Sequence, residues 1–190
     1  MNESFIYTSM MQNVDLCDEI IGYHKDSPNK VIGETIKNVT FNGLKEKEST
    51  DVNLAFSGEL YAAYTSQLGK VLDEYVEKYP WSCAFGSFGV NDTINVQHYA
   101  PTQGYHAWHT ERFNHKSPNV SRHLVFMTYL NNVTEGGETE FFHQKLKLIP
   151  KKGLTVVWPA DWTYVHRGIA SQTQDKYIVT GWLNYLQADQ

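Results

Sequence analysis

His109, Thr110 and Glu111 set an imidazole and a carboxylate two residues apart, and on an extended backbone that spacing sends both side chains to the same side. A second imidazole, His166, follows the apolar run GLTVVWP and meets the first pair if the sheet folds back on itself. Two histidines and one carboxylate occupy one face of an octahedral Fe(II) ion and leave three positions for a chelating cosubstrate and dioxygen. Ten residues after His166, the run KYIVTGWL places Lys176, Ile178, Thr180 and Trp182 on one face of a strand. A lysine among bulky apolar groups wants an anion. The far carboxylate of a small dicarboxylate, chelating the metal through its other end, meets that need; the alternative is an edge position from which Lys176 snorkels to water.

The elements that must position these groups lie in the second half of the chain. From about Trp81 onward the pieces SCAFGSFGV, TINVQHY, RHLVFMTYL, EFFHQKLKLI, GLTVVWP and KYIVTGWL read as short strands separated by Gly, Pro and Asn turns. Gly136 and Gly137 in NNVTEGGETE predict one tight connection. Before them, Asn13 is an N-cap candidate for a helix carrying Leu16, Ile20 and His24. A longer helix follows the polar stretch NGLKEKESTD, presenting Leu60, Tyr64, Leu68, Val71, Leu72 and Tyr75 and ending by Pro80. The pattern predicts a mainly β domain over 1–190, with 1–80 mainly helical support and 81–190 the core of a sandwich or jelly roll.

Composition narrows the partners. The 190 residues are 41% hydrophobic, enough for a folded core, and 16 basic against 21 acidic residues disfavour nucleic acid and anionic membranes. No apolar stretch is long enough to cross a bilayer and the first residues lack a signal-peptide pattern, so a soluble, cytoplasmic protein is expected. Cys17 and Cys83 lack CxxC spacing and suit a reducing compartment. Seven of the eight histidines fall between His98 and His166, yet only His109 and His166 have ligand-like context. His106 and His115 are reserve ligands without the two-residue spacing to a carboxylate; no feature specifies an oligomer.

The segments NVQHYAPTQGYHAWHTE, SRHLVFMTYLNNVTEGGETEFF, LIPKKGLTVVWPA, VHRGI and DKYIVTGWL, in that order from about Asn95 to Leu183, resemble the non-haem Fe(II) and 2-oxoglutarate-dependent dioxygenases, specifically the prolyl 4-hydroxylase-like branch. The resemblance implies a distorted double-stranded β-helix (jelly-roll or cupin-like) backed by N-terminal helices. It implies iron held by His109, Glu111 and His166, and 2-oxoglutarate held at its distal carboxylate by Lys176 and Tyr129, with ascorbate as an optional accessory. Thr180 adds a donor, Tyr99 stands near cosubstrate or substrate, and Met127 packs the pocket. Arg122 and Trp182 fall on the substrate side, although strand alternation puts Arg122 opposite Tyr129 unless a bulge intervenes. Glu111 departs from the family's usual aspartate.

The implied reaction consumes dioxygen and hydroxylates an unactivated C–H bond, foremost on a prolyl residue of a peptide or protein, otherwise on a free amino acid or other small molecule. The loops over 100–105, 111–119 and 132–139 would set access. A zinc or nickel cupin-like enzyme explains the triad but not Lys176 with Tyr129, and a noncatalytic β-sandwich binding module explains neither.

Overall fold

The computed structural model describes residues 4–33, 40–41, 44–113, 116 and 119–186. The chain opens with β1 (Tyr7–Met10), α1 (Leu16–Asp26), the short strands β2 (Val31–Ile32), β3 (Thr40–Phe41) and β4 (Leu44–Lys45), and then β5 (Thr50–Leu54). After α2 (Glu59–Lys78) come β6 (Phe88–Gly89), β7 (Ile94–Tyr99), β8 (Arg122–Tyr129), β9 (Thr139–Phe141), β10 (Leu146–Leu148), β11 (Leu154–Pro159), β12 (His166–Gly168) and β13 (Lys176–Tyr185).

Both helices form where the apolar spacing predicts. The Asn13 side-chain oxygen accepts the Asp15 N–H at 3.2 Å, so Asn13 turns the chain two residues ahead of the cap position, Asp15. α1 buries Leu16, Cys17, Ile20 and His24, and α2 buries Tyr64, Leu68, Val71 and Tyr75 along one stripe. Pro80, which cannot extend α2, opens a short 3₁₀ turn.

The large sheet runs β1-β11-β8-β13-β7-β5-β2, with β6 on the far end of β13, and a small sheet runs β10-β9-β12. Every neighbouring pair is antiparallel. Alternation along β8 divides the interior: Leu124 and Phe126 join the core under the helices, whereas Val125, Met127 and Tyr129 join a second core between the sheets with Phe141, Trp158 and Ile178. This is a two-sheet jelly roll with helices on one outer face.

The N-terminal part is less purely helical than its sequence suggests. β1 pairs with β11 and β5 with β7, each extending the large sheet. A four-residue strand such as Tyr7–Met10 is too short for its alternation to stand out. SCAFGSFGV shrinks to the two residues of β6, and EFFHQKLKLI is a hairpin of β9 and β10, with Lys145 at φ 50° in its turn. Cys17 is buried and Cys83 exposed, both free thiols. Among the described residues no helix is long and apolar enough to cross a membrane.

At the centre of β13, Gly181 makes room for Phe126, whose ring would lie 2.5 Å from an added Cβ. Gly181→Ala is expected to lower unfolding stability by about 1–3 kcal/mol through overpacking, measured as a shifted urea midpoint; an unchanged midpoint would mean that the ring yields without cost.

Candidate active site

A cavity of about 480 Å³ opens between the two sheets, and the segment after β7 runs along its mouth. His109 lies in that segment outside any regular strand, yet it is locked to the first residue of β12. The His109 N–H donates to the His166 carbonyl and the His166 N–H to the His109 carbonyl, each at 3.0 Å. This exchange sets the two imidazoles side by side, with ring centroids 4.3 Å apart. Glu111 completes the group: His109, Glu111 and His166 offer ligand atoms all within 4.8 Å of one another.

Each imidazole is aimed by the backbone. His109 Nδ1 is 3.0 Å from the Ala107 carbonyl and His166 Nδ1 is 2.9 Å from the Tyr164 carbonyl. A carbonyl only accepts, so both Nδ1 atoms carry hydrogen and both Nε2 atoms face the Glu111 Oε1, 3.5 Å away in each case. Tyr105 stacks on His109 with centroids 3.6 Å apart, and Phe141 and Trp158 pack around His166. Burial pushes the His109 imidazole toward its neutral form, and the neighbouring His166 adds to this. Burial alone would raise the Glu111 carboxyl, but the two imidazoles outweigh it and hold the group well below the usual carboxylate range. The cluster thus presents two imidazole nitrogens and one carboxylate at one place.

Lys176 stands on the same wall as Ile178, Thr180 and Trp182, and all four line the cavity, as alternation along β13 predicts. It is fully enclosed: its Nζ donates to the Gly137 carbonyl at 3.1 Å and lies 4.9 Å from the centre of the Tyr99 ring. Among the described residues no carboxylate pairs with it, and burial lowers its pKa to about 8. Gly136 and Gly137 have φ of 67° and 77°, and a Cβ on Gly136 would sit 2.5 Å from the Ala170 carbonyl oxygen. The double glycine therefore does more than turn the chain: it delivers the carbonyl that holds the ammonium.

Other expected contacts are displaced. Tyr129 is fully buried behind the wall, its hydroxyl donating to Thr139 Oγ1 at 2.7 Å and the Leu148 carbonyl at 3.1 Å. Thr139, in front of it, lines the cavity, with its hydroxyl donating to Met127 Sδ at 3.8 Å. Thr180 and Tyr99 line the cavity, but their hydroxyls donate to the Phe126 carbonyl and Gln97 Oε1. Arg122 reaches the cavity because β8 is bulged: Leu183 pairs with Leu124 and Asn184 with Arg122, so His123 is skipped. Its guanidinium lies 3.6 Å from the Trp182 ring centroid. Trp158, on the cavity wall, has a buried indole N–H with no partner among the described residues; an apolar strand gives no signal of such a donor.

The remaining histidines do not join the cluster. His106 is 3.8 Å from Glu48, too far for a hydrogen bond, His98 pairs with Asp175, His123 contacts the Ser82 carbonyl, and His143 packs against Trp162. His115 lies outside the described residues.

The family model described as the 2OG-Fe(II) oxygenase superfamily matches residues 94–184, the stretch containing the cluster and Lys176. Residues 94–184 belong to that superfamily by this match. Its fold is similar to a viral collagen prolyl hydroxylase from Paramecium Bursaria Chlorella virus-1, solved with 2OG (TM-score 0.71, 19% identity, 96% of this chain and 97% of that one). It is likewise similar to a Pseudomonas putida prolyl-4-hydroxylase (0.69, 14%, 96% and 93%) and to a Trichoplax adhaerens prolyl hydroxylase in complex with a hypoxia inducible factor peptide fragment (0.75, 15%, 97% and 85%). No curated protein matches the chain by sequence. The superfamily's Fe(II) and 2-oxoglutarate fit the residues present: a preset N,N,O cluster at one place in the cavity and an enclosed cation without a carboxylate partner at another.

Replacing the Tyr129 hydroxyl leaves Thr139 Oγ1 and the Leu148 carbonyl short of a donor. Tyr129→Phe is therefore expected to cost about 1–2 kcal/mol of unfolding free energy, read by denaturant unfolding; no loss would show that the buried hydroxyl contributes nothing net.

Proposed function

We propose that the protein is a prolyl 4-hydroxylase-like oxygenase that hydroxylates a C–H bond of a prolyl residue within a peptide or protein. The observation that carries this reading is one cavity holding both the His109, Glu111 and His166 cluster and the Lys176 ammonium, which has no carboxylate partner among the described residues. His109 Nε2, His166 Nε2 and a Glu111 carboxylate oxygen hold the iron. Lys176 takes the distal carboxylate of 2-oxoglutarate, with Thr139 beside it and Tyr129 orienting Thr139 from behind. With metal and cosubstrate in place, oxidation of 2-oxoglutarate to succinate and carbon dioxide is coupled to insertion of one oxygen atom of dioxygen into the substrate C–H bond.

The chain's own groups bind and orient. Trp108, Phe113 and Trp182 on the cavity wall give apolar surface suited to a pyrrolidine ring, and the buried Arg122 Nε, unpaired among the described residues, can donate to a substrate carbonyl. Apolar walls displace water from around the reacting groups. The likeness in fold to prolyl hydroxylases, one of them solved with a peptide, supports a peptide over a free amino acid. The two free thiols are in keeping with a cytoplasmic setting, and we read residues 1–190 as one catalytic unit.

The test is succinate formation from 2-oxoglutarate by Fe(II)-reconstituted protein with a library of proline-containing peptides. Turnover that requires a prolyl peptide supports the proposal, whereas turnover only with a free amino acid, or none with folded, metal-loaded protein, contradicts it. Lys176→Met is expected to abolish measurable 2-oxoglutarate binding while raising unfolding free energy at pH 7 by about 1–3 kcal/mol, because an uncompensated buried charge is removed; retained binding would refute the role of Lys176. The ligand carboxylate needs the charged ammonium, whose pKa is about 8 before binding. Affinity should accordingly be flat below pH 7 and fall roughly tenfold per unit above pH 8, with proton uptake on binding near pH 8, measurable by calorimetry in buffers of different ionisation heat.

A further inference from the structure

Glutamate has one more rotatable bond than aspartate, so its carboxylate sweeps a wider volume unless something holds it. Here Glu111 lies outside any strand, and its two oxygens have separate partners. Oε1 faces the imidazoles at 3.5 Å. Oε2 points the other way and accepts the Trp182 indole N–H at 2.9 Å, with Arg122 Nη1 3.6 Å from it. The same Nη1 donates to the Glu111 backbone carbonyl at 2.9 Å, and the guanidinium is stacked over the Trp182 ring. One arginine thus fixes both the main chain that bears the carboxylate and the indole that grips its outer oxygen.

We propose that Trp182 and Arg122 are positioning residues for the Glu111 carboxylate, a clamp that lets a glutamate serve as the third metal ligand. The proposal rests on the metal-site reading above. Both clamp residues belong to adjacent central strands, β8 and β13, which are rigid compared with the segment bearing Glu111. The bulge at His123 is part of the device, since without it Arg122 would face the helices. The indole N–H and one guanidinium nitrogen are committed to Glu111, so substrate meets the Trp182 ring and the remaining Arg122 donor rather than these groups.

An aspartate at 111 would withdraw the carboxylate by about one carbon–carbon bond, ~1.5 Å, and leave the indole N–H roughly 4 Å or more from the nearest oxygen, beyond hydrogen-bond range. This makes the proposal testable by a cycle of Trp182→Phe and Glu111→Asp in the full chain. Mn(II) affinity is measured by calorimetry without cosubstrate, together with the absorption spectrum of the Co(II)-loaded protein. Trp182→Phe alone should weaken Mn(II) binding about tenfold and alter the Co(II) bands, because the released Oε2 is free to change its coordination. In the Glu111→Asp background the same substitution should change affinity less than about twofold.

Equal weakening in both backgrounds would mark Trp182 as merely structural and overturn the clamp, as would unchanged Mn(II) affinity and Co(II) bands in Trp182→Phe; those bands decide where Glu111→Asp binds too weakly to measure. Wild-type protein that binds no Mn(II) would overturn the metal reading and the clamp together, whereas wild type and Trp182→Phe with equal Mn(II) affinity and the same Co(II) bands would overturn the clamp alone.

Discussion

The reciprocal hydrogen bonds between His109 and His166 tie an irregular segment to the small sheet, and the geometry of the site depends on that tie. Two such bonds contribute only about 1–3 kcal/mol net, too little to organise a domain but enough to choose between arrangements of one loop. With the backbones paired, the carbonyls of Ala107 and Tyr164 take the Nδ1 hydrogens and turn both Nε2 atoms inward. Glu111, two residues beyond His109, is then carried into range without a strand of its own.

The cavity brings charges out of water that an ordinary core would reject. Glu111 is compensated locally by two imidazoles, an indole N–H and a guanidinium. Lys176 is not, and its lowered pKa records the cost of enclosing it with a single carbonyl and an aromatic face. Stability is sacrificed at that position for an unsatisfied cation, which an anionic ligand of matching length would neutralise. The two ends of the cavity differ in kind, one carrying a carboxylate compensated by its neighbours and the other an ammonium that, among the described residues, has no carboxylate partner.

Much of this is legible in the residues. The helix stripes, the inward face of β13 and the HTE spacing each follow from side-chain period, which is local and survives tertiary packing. The clamp was not legible, because it requires a one-residue bulge at His123 that no period reveals, and simple alternation sends Arg122 to the wrong side. Tyr129 was visible as an inward residue, but its depth behind Thr139 depends on how closely β9 covers β8. The N-terminal strands β1 and β5 were missed because each joins the sheet through a partner far along the chain, β11 and β7. Most of the histidine crowding dissolves for a related reason: His98, His123 and His143 sit beside the site in sequence and find unrelated partners in space.

The most direct test is a crystal structure of the protein grown without oxygen in the presence of Mn(II) and 2-oxoglutarate. The metal is expected on His109 Nε2, His166 Nε2 and a Glu111 carboxylate oxygen, with the distal carboxylate of 2-oxoglutarate on the Lys176 ammonium. A metal seated on other residues, or a cosubstrate whose distal carboxylate leaves Lys176 unpaired, would contradict the site described for this fold.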